Sequence, residues 1–188
     1  MKDLVNSPAA VSFNTASLMR RGFATLALAL LSISGALAQE GKTFEPEYVS
    51  VFYLLRPSGE AVDLERQTPN LIPKGIRSLL VIPGEKSPVR FGASDEMQFV
   101  VRVEEDLDKA TAAMQLFRFE AQHGRREFLA KNEDLLKNKI GLKISIARYG
   151  SSSVKVIPTE RLAPGEYCLS RSTIRQGYCF GVDPTGNQ

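Results

Sequence analysis

The sequence predicts an all-β protein, an antiparallel β-sandwich of about eight to ten short strands. Three observations predict it. Short segments either alternate apolar with polar residues or are dense in β-branched and aromatic ones, and both patterns suit a pleated surface better than a helix. Turn signals built on Gly and Pro recur at the spacing of about 8–12 residues that such folds need. No repeat of about 20–50 residues and no long amphipathic helix breaks the pattern.

Residues 1–38 stand outside it. Arg20 and Arg21 form a basic start, the apolar run GFATLALALLSISG follows, and Ala36-Leu37-Ala38 offers the small side chains that a signal peptidase admits. A secretory signal peptide over 1–38 is expected, cleaved between Ala38 and Gln39. The apolar stretch Phe23–Ile33 has 11 residues, short of the roughly 20 that cross a bilayer as a helix. No retained transmembrane helix is therefore expected. Residues 1–18 are polar and the signal is complete from Met19 onward, which points to Met19 as the true start and 1–18 as an over-called one. The Arg20–Phe23 stretch partly matches the twin-arginine export pattern, but Met19 stands where Ser or Thr is usual and no Lys follows, so Sec export is favoured. The expected location is periplasmic or secreted, and the absence of Cys at position 39 speaks against a lipoprotein anchor.

Cleavage leaves 150 residues, enough for one domain with a proper core. Lys plus Arg falls from 24 to 21 and Asp plus Glu from 21 to 20, a net charge of about +1. A nucleic-acid binder displaces counterions with a clustered positive surface. The patches EEDLDK (104–109) and HGRR (123–126) are small, opposite in sign and read as solvated loops, so no nucleic-acid partner is expected.

A polar lead occupies 39–47, the folded domain is expected over 48–183, and 184–188 form a tail. YVSVFYLL (48–55) reads as a buried strand, RPSGE (56–60) as a turn, and AVDLERQ (61–67) as the returning hairpin partner. A loop rich in Pro and Gly leads to IRSLLVI (76–82), where a short helix and a strand are hard to separate. PGEKSP (83–88) reverses the chain before the short strand VRF (89–91). In MQFVVRVEE (97–105), Phe99, Val101 and Val103 alternate against Gln98, Val100 and Arg102. An ambiguous piece covers 107–116, and 114–130 reads as a hairpin turning near His123 and Gly124. KNEDLLKNK (131–139) is a loop or one helical turn; GLKISIARYG (141–150) and SSSVKVIP (151–158) are paired strands.

The last two strands hold the only cysteines, Cys168 and Cys179. If the two lie opposite each other in an antiparallel pair, Tyr167 faces Phe180, Leu169 faces Tyr178 and Gly165 faces Val182. Alternation then puts those aromatic and apolar residues on one side and both sulfurs on the other. The turn centres between Thr173 and Ile174. A zinc site wants four ligands, and two Cys with the lone His123 do not supply them. A redox pair is usually C-x-x-C, and a thiol nucleophile needs a base, for which there is only that turn histidine. In an oxidising compartment a cross-strand disulfide Cys168–Cys179 is the expected outcome.

LAPGEYCL (162–169) is similar to the L-x-P-G-x-Y element of immunoglobulin-like and transthyretin-like secreted sandwiches, in which Pro-Gly makes the corner between sheets and the Tyr packs at the start of the next strand. The resemblance implies an immunoglobulin-like sandwich. It departs from antibody domains in having Tyr167 directly before Cys168 and no upstream cysteine. More broadly, GEKSPVRF, MQFVVRV, MQLFRFE, LAPGEYCL and CFGVD, in that order, resemble an uncharacterised family of exported bacterial all-β proteins over roughly 48–183. That resemblance implies location and fold and contributes no catalytic residues.

Chemistry-bearing patterns are scarce. The chain has no H-E-x-x-H, no phosphate-cradling glycine loop, no calcium-loop pattern and no nucleophile in a catalytic context. The acids Glu104, Glu105 and Asp106 read as a solvated run, and Lys86-Ser87 as part of a turn. Ten Phe, five Tyr and no Trp read mostly as core, with Tyr149 the best candidate for an exposed ring. The expectation is a non-catalytic binding or structural module of the bacterial envelope with a protein or glycan partner and no cofactor or metal. It would carry an exposed apolar patch or a free strand edge. The competing expectation, a small exported hydrolase or an accessory domain of an envelope enzyme, requires a cleft with at least two titratable groups within hydrogen-bond reach.

Overall fold

A computed structural model describes residues 43–137, 140–171 and 175–185. The expected cleavage residues Ala38 and Gln39, and the turn centre at Thr173 and Ile174, lie outside the described residues. The protein is all-β: thirteen strands, where about eight to ten are expected, and two short helices are described. In chain order they are β1 (Phe52–Leu55), β2 (Ala61–Asp63), β3 (Glu65–Gln67), β4 (Asn70–Lys74), β5 (Arg77–Pro83), β6 (Arg90–Gly92) and β7 (Phe99–Arg102). They continue with α1 (Leu107–Ala113), β8 (Met114–Gln122), β9 (Arg125–Lys131), α2 (Asn132–Leu136), β10 (Ile144–Tyr149), β11 (Ser153–Pro158), β12 (Gly165–Arg171) and β13 (Gly177–Asp183).

Two sheets form. The smaller runs β10-β11-β7-β1-β2; the larger runs β3-β13-β12-β8-β9-β5-β4, with β6 pairing parallel to β13. Their facing sides share one core. Phe52 and Leu54 of β1, Phe99 and Val101 of β7 and Val154 and Val156 of β11 meet Leu116, Tyr167, Leu169, Tyr178 and Phe180. The rings of Phe99 and Phe180 stand 5.0 Å apart, and those of Tyr167 and Phe180 stack at 5.7 Å. Alternation in MQFVVRVEE thus carries Phe99 and Val101 inward, as the period-2 pattern requires.

The larger sheet curls into a half-barrel. β8 pairs with β12 from Met114 to Phe119 but with β9 only from Glu120 to Gln122, so the strand bends between the two partners. β9, β5 and β4 swing round the second face of β12 and β13. There Leu80, Ile82 and Phe128 close over Phe117, Phe119, Cys168 and Cys179 to make a second, smaller core. The β8–β9 turn is His123-Gly124, with φ of 54° and 76°, the double left-handed geometry whose twist matches a two-residue hairpin.

Three segments differ from their sequence reading. AVDLERQ is two strands: β2 pairs with β1 in the smaller sheet and β3 with β13 in the larger. Leu64 between them is 5% exposed and sits in the shared core, so the chain changes sheets by driving one apolar side chain between them. The expected loop before residue 76 contains β4, whose Pro73 is tolerated because β4 is an edge strand with one side free of ladder bonds. IRSLLVI resolves as β5, and KNEDLLKNK begins with the single turn α2. The strand expected from Tyr48 starts only at Phe52, after Ser50 takes a left-handed φ of 65°.

Candidate functional site

Strands β12 and β13 pair antiparallel. Gly165 faces Val182, Tyr167 faces Phe180, Cys168 faces Cys179 and Leu169 faces Tyr178, the register that the cysteine pairing requires. Cys168 and Cys179 are joined by a disulfide that is 2% and 0% exposed. The aromatic residues of the hairpin enter the shared core and the sulfurs enter the half-barrel. Tyr167 anchors the hairpin's entry: its buried hydroxyl donates to the Ala163 carbonyl at 2.6 Å. Burial is also what raises the phenol's pKa above its ordinary value.

The half-barrel has an apolar end and a charged end. Glu65, Cys179, Cys168 and Phe117 form one cross-strand row on the inner face; Gly181, Glu166 and Phe119 form the next. Arg126, only 1% exposed, points inward from β9 and binds Glu65 with both terminal nitrogens at 2.7 and 3.1 Å. It also donates to the carbonyls of Pro83 and Gly84, each at 3.1 Å, and lies 3.9 Å from Glu166. Glu166, 4% exposed, accepts from the Ser87 amide at 2.8 Å and from Arg90 at 2.7 Å. Arg90 turns its Nε and Nη2 to Asp183 at 2.6–2.9 Å.

The electrostatics follow from these partners. Burial acts on Glu65 to raise its pKa, but hydrogen bonds from Arg126, Ser87 and Gln67 outweigh it and hold the carboxyl below its ordinary 4.5. Hydrogen bonds from Arg90 lower Asp183 below 3.8, and those same contacts hold Arg90 charged throughout. Gly181 makes room for this arrangement. A Cβ there would fall 2.1 Å from Arg90 Nη1, so a side chain at 181 requires the Arg90 guanidinium to shift from its place between Glu166 and Asp183.

Arg90 and Asp183 sit on the wall between two open grooves of about 670 and 810 Å³, one lined also by Lys86 and Arg118, the other by Arg56 and Glu96. The carboxylates of Glu166 and Asp183 are engaged by Arg90, and that of Glu65 by Arg126. The cluster is thus a set of ion pairs, not a base poised against a nucleophile. The other candidates are dispersed. His123 is an exposed turn residue, and Glu105 is paired with Arg171. Ser87 is 1% exposed, its hydroxyl donating to the Cys179 carbonyl at 3.4 Å and accepting from the Val89 amide at 3.2 Å. Tyr149 is half-buried with Lys155 Nζ 5.1 Å from its ring centroid, so it does not form an open stacking platform. Among the described residues no three His, Cys, Asp or Glu side chains converge as for a metal, and no helix is long and apolar enough to cross a membrane.

A different surface is apolar and open. Residues opposite one another in β4, β5 and β9 form cross-strand rows on the outer side of the half-barrel: Lys74–Arg77–Lys131, then Ile72–Leu79–Leu129. Leu129 is 49% exposed and Ile76, at the tip of the β4–β5 hairpin, 79%. On the inner side Leu71 of the edge strand remains 54% exposed. Sequence reading expected an exposed apolar patch or a free strand edge without placing either, and it missed the charged cluster. The ion-pair partners of the cluster lie 40 to 93 positions apart, so no motif marks them. Its one local signal is a glutamate, Glu166, on the same side of the strand as Cys168.

Compared with known proteins, no family profile, curated protein or solved structure matches this chain.

Proposed function

We propose that this chain is an exported, non-catalytic β-sandwich of the immunoglobulin-like kind that serves the bacterial envelope as a binding module. The observation that carries the reading is the open β4–β5–β9 face, where Leu129 and Ile76 stay 49% and 79% exposed beside a free strand edge. Large apolar side chains left exposed on one sheet face in this way mark candidate interaction sites. Pro73 within β4 removes one edge donor, which favours docking on the face over addition of a further strand. The buried disulfide suits an oxidising compartment, and the Tyr167 bond to Ala163 is of the kind that ties a tyrosine corner in immunoglobulin-like domains. Kinship with exported bacterial all-β proteins, carried by the same LAPGEYCL and CFGVD segments, belongs to this reading. A hydrolase is disfavoured because the buried carboxylates are held by arginines.

Two measurements test it. The exported protein is expected to begin at Gln39 by intact mass, and an intact residue 1 overturns the location. A photo-reactive side chain at Leu129 is expected to give envelope adducts that the same group at exposed Lys109 does not. Equal labelling at both sites refutes the binding face.

A further inference from the structure

The tip of the β4–β5 hairpin joins three features that bear on what the binding module would bind. The first is a side chain on display. Gly75, at φ 64°, and Ile76 make the two-residue turn, and Ile76 projects with 79% of its surface exposed. The second is rigidity beneath it. Asn132, the first residue of α2, donates its backbone N–H to the Ile76 carbonyl at 3.0 Å and its side-chain amide to the Gly75 carbonyl at 3.1 Å. Its carbonyl oxygen accepts from Ser78 Oγ at 2.8 Å. The turn backbone is thus held from behind while its apolar side chain faces out. The third is charge: Lys74, Arg77 and Lys131 are all exposed, directly opposite one another in register, and take part in no ion pair among the described residues.

Acidic groups nearby do not cancel that row. Glu133 of α2 is paired with Lys137, and Glu127, two rows away on the same face, is paired with Arg125. Asp134 of α2 and exposed Glu120, which faces Glu127 from β8 two rows from the cations, are the neighbouring acids without an ion pair among the described residues. Leu136, four residues after Asn132 and so on the same side of that single turn, is 85% exposed and adds a second apolar projection.

We propose that this hairpin tip docks on an anionic phospholipid surface, with Ile76 at the boundary of headgroups and acyl chains and the Lys74–Arg77–Lys131 row against the lipid phosphates. Charge complementarity chooses the phosphates. The projection of Ile76 from a turn favours a bilayer over a folded partner, because a fluid phase buries a protruding side chain without needing a matched pocket. A rigid apolar tip collared by cations is the interfacial pattern: apolar burial and attraction to anionic lipid add. The proposal rests on the binding-module reading and names the partner of that face.

The test is flotation of the purified protein with phosphatidylcholine vesicles, with and without phosphatidylglycerol. Binding is expected only with the anionic lipid and is expected to vanish at about 1 M salt, where the screening length falls to roughly 3 Å. Replacing Lys74, Arg77 and Lys131 together by Gln is expected to weaken partitioning about 100-fold, at about fivefold per cation. Ile76→Ser should weaken it roughly tenfold, while Lys109→Gln leaves it unchanged. All five changed residues are exposed, and unaltered melting curves establish that the variants fold. Binding no stronger to anionic than to neutral vesicles, or a triple variant that binds like the wild type, overturns the lipid proposal. If a photo-reactive group at Leu129 still captures an envelope protein in that event, the binding-module reading stands; if it captures nothing, both fall.

Discussion

Replacing Arg126 by Met gives the most discriminating test of how the half-barrel is held. The side chain is 1% exposed, and it supplies both donors to Glu65 and one each to the carbonyls of Pro83 and Gly84. Met keeps most of the aliphatic volume and removes every donor. Glu65, whose side chain is 13% exposed, then loses its cation, and Glu166 loses one at 3.9 Å. Breaking a buried pair from one side costs about 3–5 kcal/mol because a buried charge is stranded, which lowers the melting temperature on the order of 10 °C for a domain of this size. Changing both partners, Arg126→Met with Glu65→Leu, is expected to recover most of the loss, since an apolar pair of similar volume is often neutral. Urea denaturation of the wild type, both single variants and the double variant completes the cycle. The sign with pH is also fixed. In the wild type Glu65 sits below its ordinary 4.5, so its contribution is present above that value and is lost as pH falls through the folded pKa. In Arg126→Met the stranded carboxyl shifts upward instead, so wild type and variant converge on acidification. A cost under about 1 kcal/mol, or a difference that does not change with pH, refutes the argument.

Three other outcomes are expected. Unreduced, denatured protein should show no free thiol, and Ala at both Cys168 and Cys179 should cost about 2–3 kcal/mol by chemical denaturation, the range for a short closed loop. Gly181→Ala should destabilise by about 1–3 kcal/mol, as overpacking does, because its Cβ would lie 2.1 Å from Arg90 Nη1; in an Arg90→Ala background the same change should cost nothing measurable. Melting temperature followed from neutral to acid pH should drop below about pH 4.5 as Glu65 and Asp183 protonate, both being held below their ordinary 4.5 and 3.8 by arginine, and Glu65→Gln should flatten that limb.

The all-β class and the β12–β13 register are determined by the sequence alone, and for a local reason. Antiparallel neighbours close in chain order have their register set by a short turn, so Cys168 opposite Cys179 forces Tyr167 against Phe180 and Leu169 against Tyr178 without knowledge of any distant residue. The inward run of Phe99 and Val101 and the turn at His123-Gly124 are equally local. What only the tertiary structure decides is where strands go once they leave their neighbours. AVDLERQ is continuous as a pattern, yet the burial of Leu64 between sheets splits it. Pro73 reads as a breaker until β4 proves to be an edge. The bend in β8 closes the half-barrel and brings Arg126 to Glu65, 61 positions away, while the pairing of β9 with β5 sets Lys131 beside the Lys74–Arg77 pair of the β4–β5 hairpin. Charges that far apart in the chain carry no shared periodicity, and only packing makes them neighbours.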